Sequence, residues 1–286
     1  MRRFLVIATL ILVVGGVVGA LTFPTDALVR AALDRVSLPD HMQLTFEAAH
    51  LRPNGLRLEQ VHVVRPNGRP VFDAEWVRLW PSLWGLWRDR TGRPWTIAAS
   101  TCQGTIEVEI GVEPRGTPIT VSLEHVEIAS CLPYVLPQVE AYGRVDGRGH
   151  VVMGGPDRPA SEGRLELRGA AWTPGGPLDD LPLRADTATL AWRLADGRLE
   201  LTSLDATSSD FDAKGTGVAR LLAGLDDSVL DLRITMTPGR TMSPLLRRYL
   251  DAIAGPAPAA PAARGTRTFR VQGTLRDPRL IAIATP

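Results

Sequence analysis

The chain has 286 residues, with 32 Lys and Arg against 31 Asp and Glu, so its formal net charge is +1. A chain of this length can bury the core of one elongated domain or of two small ones. No long block of one sign interrupts the balance, which excludes the electrostatic footprint of a nucleic-acid-binding protein.

The first 24 residues predict a membrane anchor. Arg2 and Arg3 precede an uncharged apolar run from Phe4 to Phe23, and roughly 20 such residues in a helix cross the ~30 Å hydrocarbon core of a bilayer. The two arginines should stay cytoplasmic, which places the rest of the chain in the periplasm of a bacterium. A signal peptide cleaved after Val18-Gly19-Ala20 is the alternative, and it also exports the body.

A short amphipathic helix should follow, with Thr25 as its N-cap and its end before Pro39. Its apolar stripe contains Leu28, Val29, Ala32, Leu33 and Val36. The stripe favours packing under a sheet. A helix lying on the bilayer surface is the alternative, although its polar face mixes acidic and basic residues.

From Leu44 onward the pattern has period two, typical of strands with one buried face, and it slips near Gln60. The Asp196-Gly197 pair predicts a tight antiparallel hairpin over Ala188–Leu204. The predicted strands are bounded by turn residues; they are 56–65, 71–80, 105–112, 119–128, 143–153, 163–172, 187–194, 198–204, 211–218, 229–236 and 268–275.

Few helices interrupt these strands. Pro81–Trp87 and Cys131–Val139 read as short apolar turns or helices. Ser243 as N-cap, Pro244 at the first position and Gly255 at the end predict a better helix. Ala257–Arg264 is a Pro/Ala linker.

Cys102 and Cys131 are the two cysteines. Export favours a disulfide between them, worth ~3 to 4 kcal/mol in the chain-entropy picture. Two free buried thiols are the alternative, because sequence cannot establish the short Cα separation that a disulfide needs.

The sequence contains no recognised catalytic motif. Five dispersed histidines form no zinc motif, and nucleotide-binding or nucleophile-elbow motifs are not found. We therefore predict no catalytic residue, no metal and no cofactor. Asp205, Asp210 and Asp212 cluster without a calcium-loop pattern, so solvated strand ends explain them better.

Tryptophans crowd one stretch of the chain, from Trp76 to Trp95. Indole prefers an interface with one wet and one apolar side, so we consider Trp80, Trp84 and Trp87 candidates for contact with a membrane or a partner. Plugging the core at the end of a sheet is the alternative.

These patterns predict a mainly β fold. An N-terminal transmembrane helix should precede an elongated, curved, mostly antiparallel meander with a few short helices. The predicted divisions are a cytosolic tip and anchor (1–24), a periplasmic sheet body (25–254), a Pro/Ala linker (255–267) and a C-terminal strand that returns to the sheet (268–286).

Several short motifs along nearly the whole chain resemble the type II secretion system protein N family. In order they are Phe23-Pro24-Thr25-Asp26-Ala27-Leu28, Pro53-Asn54-Gly55-Leu56-Arg57-Leu58, Pro81-Ser82-Leu83-Trp84-Gly85-Leu86 and Gly273-Thr274-Leu275-Arg276-Asp277-Pro278. The segment from Val77 to Leu86 and the Gly-x-x-x-x-Pro ending are also similar to the broader AsmA-like group. Trp84 and Trp87 depart from the plain aliphatic residues expected there.

The secretion resemblance implies an accessory inner-membrane component of the machine that exports folded proteins. It implies no catalytic residues. We expect a single-pass protein of the bacterial inner membrane that acts as a non-enzymatic periplasmic scaffold and contacts other secretion components, with edge strands available to a partner.

The AsmA-like resemblance implies the alternative, a lipid-binding or lipid-transfer protein acting between the inner and outer membranes. Leucines and valines on one face of the strands, with few helices to cover them, favour it independently. A closed core filled by side chains would favour the scaffold, whereas an open apolar trough would favour lipid.

Overall fold

The computed structural model describes residues 29–30, 42–52, 55–81, 95–111, 116–135, 140–153, 161–172, 183–222, 227–239, 241–254, 265–274 and 277–283. Within these ranges no helix has the length and apolar character needed to cross a bilayer. The predicted anchor at 1–24 lies outside them. So do residues 82–87 of the turn predicted at Pro81–Trp87 and residues 255–264 of the linker predicted at 255–267, whereas Pro81 and Arg267 belong to strands. Of the predicted helix at 25–38, only Val29 and Arg30 are included, and both are helical.

The fold is mainly β, as predicted, and consists of one large antiparallel sheet with few helices. The first eight strands are β1 (Gln43–Thr45), β2 (Ala48–Arg52), β3 (Gly55–Val64), β4 (Pro70–Pro81), β5 (Trp95–Thr101), β6 (Gly104–Ile110), β7 (Thr117–Glu127) and β8 (Ala141–Met153). The other seven are β9 (Ser161–Trp172), β10 (Leu183–Ala195), β11 (Arg198–Thr207), β12 (Phe211–Arg220), β13 (Val229–Pro238), β14 (Arg267–Thr274) and β15 (Pro278–Ile283). The helices are α1 (Ile128–Val135) and α2 (Pro244–Ala254).

The sheet is a meander in which, from β3 to β15, each strand pairs with the next along the chain, while β1 and β2 both pair with β3. All pairings are antiparallel. Strands lie about 4.8 Å apart, so the 13 gaps along this order span roughly 60 Å. Within the described part of the chain β1 does not pair with β15, and the sheet has two edges.

The predicted hairpin between β10 and β11 is confirmed. Ala195 pairs with Arg198, and the two turn residues between them have positive φ, 55° at Asp196 and 72° at Gly197. A two-residue turn with positive φ at both positions matches the twist of the flanking strands. The slip predicted near Gln60 is a left-handed residue with φ of 49°.

Helix α2 begins at Pro244, as its capping residues predict. The Ser243 hydroxyl accepts a hydrogen bond from the Leu246 N–H at 3.1 Å, the usual N-cap contact. Helix α1 starts three residues earlier than predicted, at Ile128 instead of Cys131. Glu127 ends β7, and its side chain accepts a hydrogen bond from Ser130 Oγ at 2.9 Å in the first turn of α1.

Strand β5 was missed by the period-two analysis. Its consecutive Ala98 and Ala99 are both buried, at 5% and 6% exposure, so the strand is covered on both faces and shows no alternation. Strands β1, β2 and β15 were also not singled out, because β1 and β2 are short and the run Leu280–Ile283 in β15 is apolar without alternation.

Candidate functional site

One face of the sheet carries three continuous apolar rows that run across the strands. Directly paired residues in an antiparallel sheet lie on the same face, so the rows follow from the pairing register. The central row is Leu51, Leu56, Leu79, Ile97, Val108, Val121, Gly149, Gly163, Trp192, Leu201, Gly217, Leu232, Val271 and Leu280.

The upper row lies on the side of helices α1 and α2. It contains Ala49, Leu58, Val77, Ala99, Ile106, Leu123, Gly147, Leu165, Leu190, Leu204, Gly215, Ile234, Phe269 and Ala282. The lower row contains Pro81, Trp95, Ile110, Ile119, Val151, Ser161, Leu194, Leu199, Ala219, Leu230, Gly273 and Pro278. None of the three rows contains a charged residue.

The opposite face is polar along the same strands, because side chains alternate. One of its rows reads Thr96, Glu109, Thr120, His150, Glu162, Arg193 and Glu200. Arginines also lie directly opposite each other, as at Arg148 and Arg164. Such like-charge pairs are unfavourable. An ion pair offsets part of the repulsion here, because Arg148 Nη2 lies 3.7 Å from Glu109 Oε2.

Both ends of the apolar face are covered. Near the first strands, Phe46, Ala49, Leu58, Val61, Ala74 and Ala99 form a buried cluster on which Val29 packs. Near the last strands, Met242, Leu246 and Leu250 from α2 and the segment before it pack on Phe211, Ala213 and Phe269. Each end is therefore a small hydrophobic core.

In the described structure no buried cluster covers the three rows over strands β6 to β11, whereas Val126 and Ala188, beyond the upper row on the same face, are buried at 5% and 8% exposure. The 18 row members over these strands are half-buried, apart from Ser161, and neither buried cluster extends to them. We call this region the trough. Five gaps of about 4.8 Å give it a length of roughly 24 Å, and about 13 Å separates the outer rows.

Glycines make room for Trp192 on the floor of the trough. A Cβ atom at Gly163 would lie 2.6 Å from Trp192 Cζ2, 2.8 Å from Cε2 and 2.9 Å from Nε1, and one at Gly149 would lie 3.6 Å from Cζ2. The indole therefore lies over the backbone of β9 and reaches toward β8. Leu165 lies over Gly147 in the same way, with Cδ2 2.4 Å from the position of a Cβ atom there.

The structure joins the two candidate cysteines. Cys102 and Cys131 form a disulfide with a Cα–Cα distance of 5.2 Å. It ties α1 to the turn between β5 and β6, where Glu127 also donates its backbone N–H to the Cys102 carbonyl at 2.9 Å. The link fixes α1 at the upper ends of strands β5 to β8.

Of the three candidate tryptophans, only Trp80 is described; Trp84 and Trp87 lie outside the described residues. Trp80 is half-buried on the polar face, where it pairs with Thr96. The Arg78 guanidinium stacks on its ring at 4.9 Å, a cation–π contact. The same arrangement joins Arg57 and Trp76 at 5.4 Å.

The ionisable groups of the described residues whose pKa is shifted lie away from the trough. The hydrogen bond from Arg270 holds the pKa of Asp231 below its ordinary 3.8. Burial, with a contribution from the Asp73 charge, raises the pKa of Tyr134 above 10.0. Asp205 is 3.8 Å from Lys214 Nζ, and the described chain contains no group of three side chains placed to hold a metal ion.

The chain matches no protein-family model, no curated protein and no solved structure. The resemblance to the secretion family stays a prediction, and the trough is the candidate functional site. Trp192 and the glycines beneath it were not singled out as site residues from the sequence. The alternation of Leu190, Trp192 and Leu194 placed Trp192 on the apolar face, but its partners depend on pairing between strands.

Proposed function

We propose that the trough binds the acyl chains of lipids, in an elongated, curved sheet that transfers or bridges them between membranes. The observation that carries the proposal is the apolar face, whose rows are continuous from β2 to β15, covered at both ends and only half-buried over β6 to β11 among the described residues. A contiguous apolar face whose side chains are only half-buried is a candidate interaction site.

The dimensions of the trough suit an acyl chain. A ~30 Å hydrocarbon core contains two chains end to end, so one chain is about 15 Å long. Lying across the strands, it fits within the roughly 24 Å between β6 and β11. Contact with the three rows is then apolar throughout, apart from Trp192 Nε1 and Ser161.

Glycines support the proposed curvature. Gly147, Gly149, Gly163, Gly215 and Gly217 all belong to the central and upper rows. Because glycine has no side chain, a sheet can bend toward a face that is rich in glycine, and designed sheets use glycine positions to introduce curvature. Curling in this direction makes the apolar face concave.

Photocrosslinking of the full chain in its membrane tests the proposal. A benzophenone amino acid replaces either Val121, in the central row, or the adjacent Ser122, on the polar face. The cells are grown with [¹⁴C]acetate, which labels the acyl chains of their lipids. We expect ultraviolet light to label the chain at position 121 and not at 122. Labelling at neither position refutes lipid binding, and equal labelling refutes the assignment to this face.

A second variant pair tests the same face by charge. Val121→Glu places a carboxylate in the trough, whereas Ser122→Glu adds the same charge on the polar face beside Arg148. Burying an unpaired charge against an acyl chain is strongly unfavourable. We expect lipid copurifying with the chain to fall for Val121→Glu only, at equal far-UV circular dichroism.

The second candidate is a scaffold in a type II secretion system, anchored by 1–24 in the bacterial inner membrane with its body in the periplasm. The disulfide suits that oxidising compartment. The outer edge of β15 favours the role: in the described structure β15 pairs only with β14, and Ile281 is 47% exposed. Such an edge accepts a strand from a partner.

Pull-down from membranes that contain the secretion machine tests the scaffold. Ile281→Lys should abolish recovery of secretion components, because a charge blocks pairing at an edge. Val229→Lys is the matched control, since Val229 is equally exposed, at 47%, but lies on an internal strand. Recovery of no secretion component with the unaltered chain refutes this candidate.

A further inference from the structure

Two directly opposed arginines lie on the polar face of the first strands. Arg57 in β3 pairs with Arg78 in β4, so their Cβ atoms are about 5 Å apart. Both residues are half-buried. The described sheet contains four other directly opposed arginine pairs, and all of their members are exposed; these pairs are Arg144 with Arg168, Arg148 with Arg164, Arg198 with Arg220 and Arg233 with Arg270. Water therefore screens the repulsion between Arg57 and Arg78 less than in the other pairs.

Each of these two guanidinium groups lies over an indole ring of β4. Arg57 Cζ is 5.4 Å from the centre of the Trp76 ring, and Arg78 Cζ is 4.9 Å from that of Trp80. Residues 76, 78 and 80 share one face because side chains alternate along a strand. We call Arg57, Trp76, Arg78 and Trp80 the arginine–tryptophan cluster. Its cation–π contacts hold both planar groups in place.

Acidic side chains satisfy the cluster only in part. Glu59 Oε1 lies 3.3 Å from Arg57 Nε, yet this nitrogen is buried and has no hydrogen-bond partner. Arg78 makes no hydrogen bond or ion pair within the described part of the chain. A guanidinium offers five N–H donors in a planar fork, which matches two oxygens of one phosphate. A phosphate group would therefore supply the acceptors that the protein does not.

Positive charge is confined to the first strands. Residues 48–52, 55–59 and 76–80 contain three arginines and one glutamate, a formal charge of +2 with His50 neutral. Strands β5 to β7 contain four glutamates and no Lys or Arg. An anionic surface would therefore attract β2 to β4 and repel the strands that follow.

The same strands are the ones closest along the chain to the predicted anchor. That anchor should end at Pro24, and β1 begins at Gln43. A connection of about 20 residues spans no more than roughly 70 Å when fully extended. The cluster therefore stays within reach of the bilayer at a high effective concentration.

An anionic phospholipid headgroup fits this combination of residues. Arginine pairs bidentately with phosphate, and arginines close to an anionic membrane surface are attracted to it. Indole prefers the boundary between the headgroups and the acyl chains, where one side is wet and the other apolar. A carboxylate-rich protein segment would supply the charge but not this boundary.

We infer that the arginine–tryptophan cluster binds the phosphate of an anionic phospholipid and docks strands β2 to β4 on the membrane surface. The cluster lies on the face opposite the trough, so this inference goes beyond the proposed function and does not depend on it. The glutamates of β5 to β7 limit the contact to the first strands.

Competition between two lipids tests the inference in the full chain, held in a neutral detergent. Dihexanoyl phosphatidylglycerol and dihexanoyl phosphatidylcholine are supplied in equal amounts, and native mass spectrometry measures the ratio of the two bound forms. Their acyl chains are identical, so binding in the trough contributes equally to both. Each arginine near an anionic surface favours binding about fivefold. The variant with Arg57→Gln and Arg78→Gln should therefore reduce the preference for phosphatidylglycerol by up to about thirtyfold.

The matched control is Arg198→Gln with Arg220→Gln. It removes the same two charges from a directly opposed pair, but this pair is exposed and has no stacked indole in the described structure. We expect it to keep the preference of the unaltered chain, at equal far-UV circular dichroism for all three proteins. Inorganic phosphate added at the concentration of the lipids should leave the ratio unchanged.

Each of the other outcomes overturns a stated part of the inference. An unaltered chain without a preference for phosphatidylglycerol overturns the membrane contact. A cluster variant that keeps the preference, or a control that loses it equally, overturns the assignment to Arg57 and Arg78. Displacement of phosphatidylglycerol by inorganic phosphate would make free phosphate the ligand. None of these results bears on the trough, which labelling at position 121 tests separately.

Discussion

Gly163→Ala should destabilise the sheet relative to Gly149→Ala, although these glycines are paired neighbours in one row. The difference comes from Trp192. A Cβ atom at Gly163 would lie 2.6 Å from Trp192 Cζ2, whereas one at Gly149 would lie 3.6 Å from the same atom. The first distance forces the indole to move, and the second is an ordinary van der Waals contact.

The magnitude follows from two terms. Alanine gains about 0.5–1 kcal/mol over glycine within a strand because it restricts the unfolded chain, and both variants share this gain. Overpacking at Gly163 adds a cost of about 1–3 kcal/mol. Gly149→Ala should therefore be neutral or stabilising, and the free energy of unfolding of Gly163→Ala should be lower by about 1–3 kcal/mol.

Urea unfolding followed by far-UV circular dichroism measures the difference as a shift in midpoint at unchanged slope. Repeating Gly163→Ala in a Trp192→Ala background isolates the contact, since the cost should vanish once the indole is gone. A Gly163→Ala midpoint equal to or above that of Gly149→Ala would refute the placement of the indole over β9. A cost that persists without Trp192 would refute its cause.

Three further predictions concern the rest of the sheet. Replacing Cys102 and Cys131 by Ser opens a loop with a separation of 29 residues and should lower the free energy of unfolding by up to about 3.6 kcal/mol; urea unfolding in the absence of reductant checks this, and an unchanged midpoint would contradict it. Leu246→Ala in α2 should cost about 2–5 kcal/mol, because Leu246 is 4% exposed and leaves a cavity. The neighbouring Leu245 is 55% exposed, so Leu245→Ala should change the stability by no more than about 0.5 kcal/mol. Thermal unfolding of both variants checks this, and equal shifts in Tm would contradict the packing of α2. The folded-state pKa of Asp231 is depressed, so its contribution to stability is present above the unfolded value and lost as the pH falls through the folded one. Arg270→Gln should raise that pKa toward 3.8, which a carboxyl NMR titration measures.

Local patterns were read correctly where neighbouring residues alone decide the structure. Asp196-Gly197 marks its hairpin because both positions adopt positive φ, and Ser243 marks the start of α2 because its hydroxyl accepts a backbone hydrogen bond. Period-two alternation also separated the two faces, as in Leu199, Glu200 and Leu201. It failed at β5, where Ala98 and Ala99 are buried on both faces.

The candidate site required contacts between strands. Cys102 and Cys131 meet because α1 folds back to the turn between β5 and β6. Trp192 lies over Gly163 because β9 and β10 pair in one register. A shift of that register by one residue would turn the indole toward the polar face, and no spacing within β10 alone can establish the pairing.

The sequence by itself determined that this chain forms a sheet with one apolar and one polar face, because alternation depends only on the order of residues along each strand. Only the tertiary structure decided that these faces join into rows from β2 to β15, that helix α2 covers one end, and that the rows over β6 to β11 stay half-buried in the described part of the chain. The physical reason is that coverage depends on which distant segments pack together, and burial of an apolar row is a property of its neighbours in space.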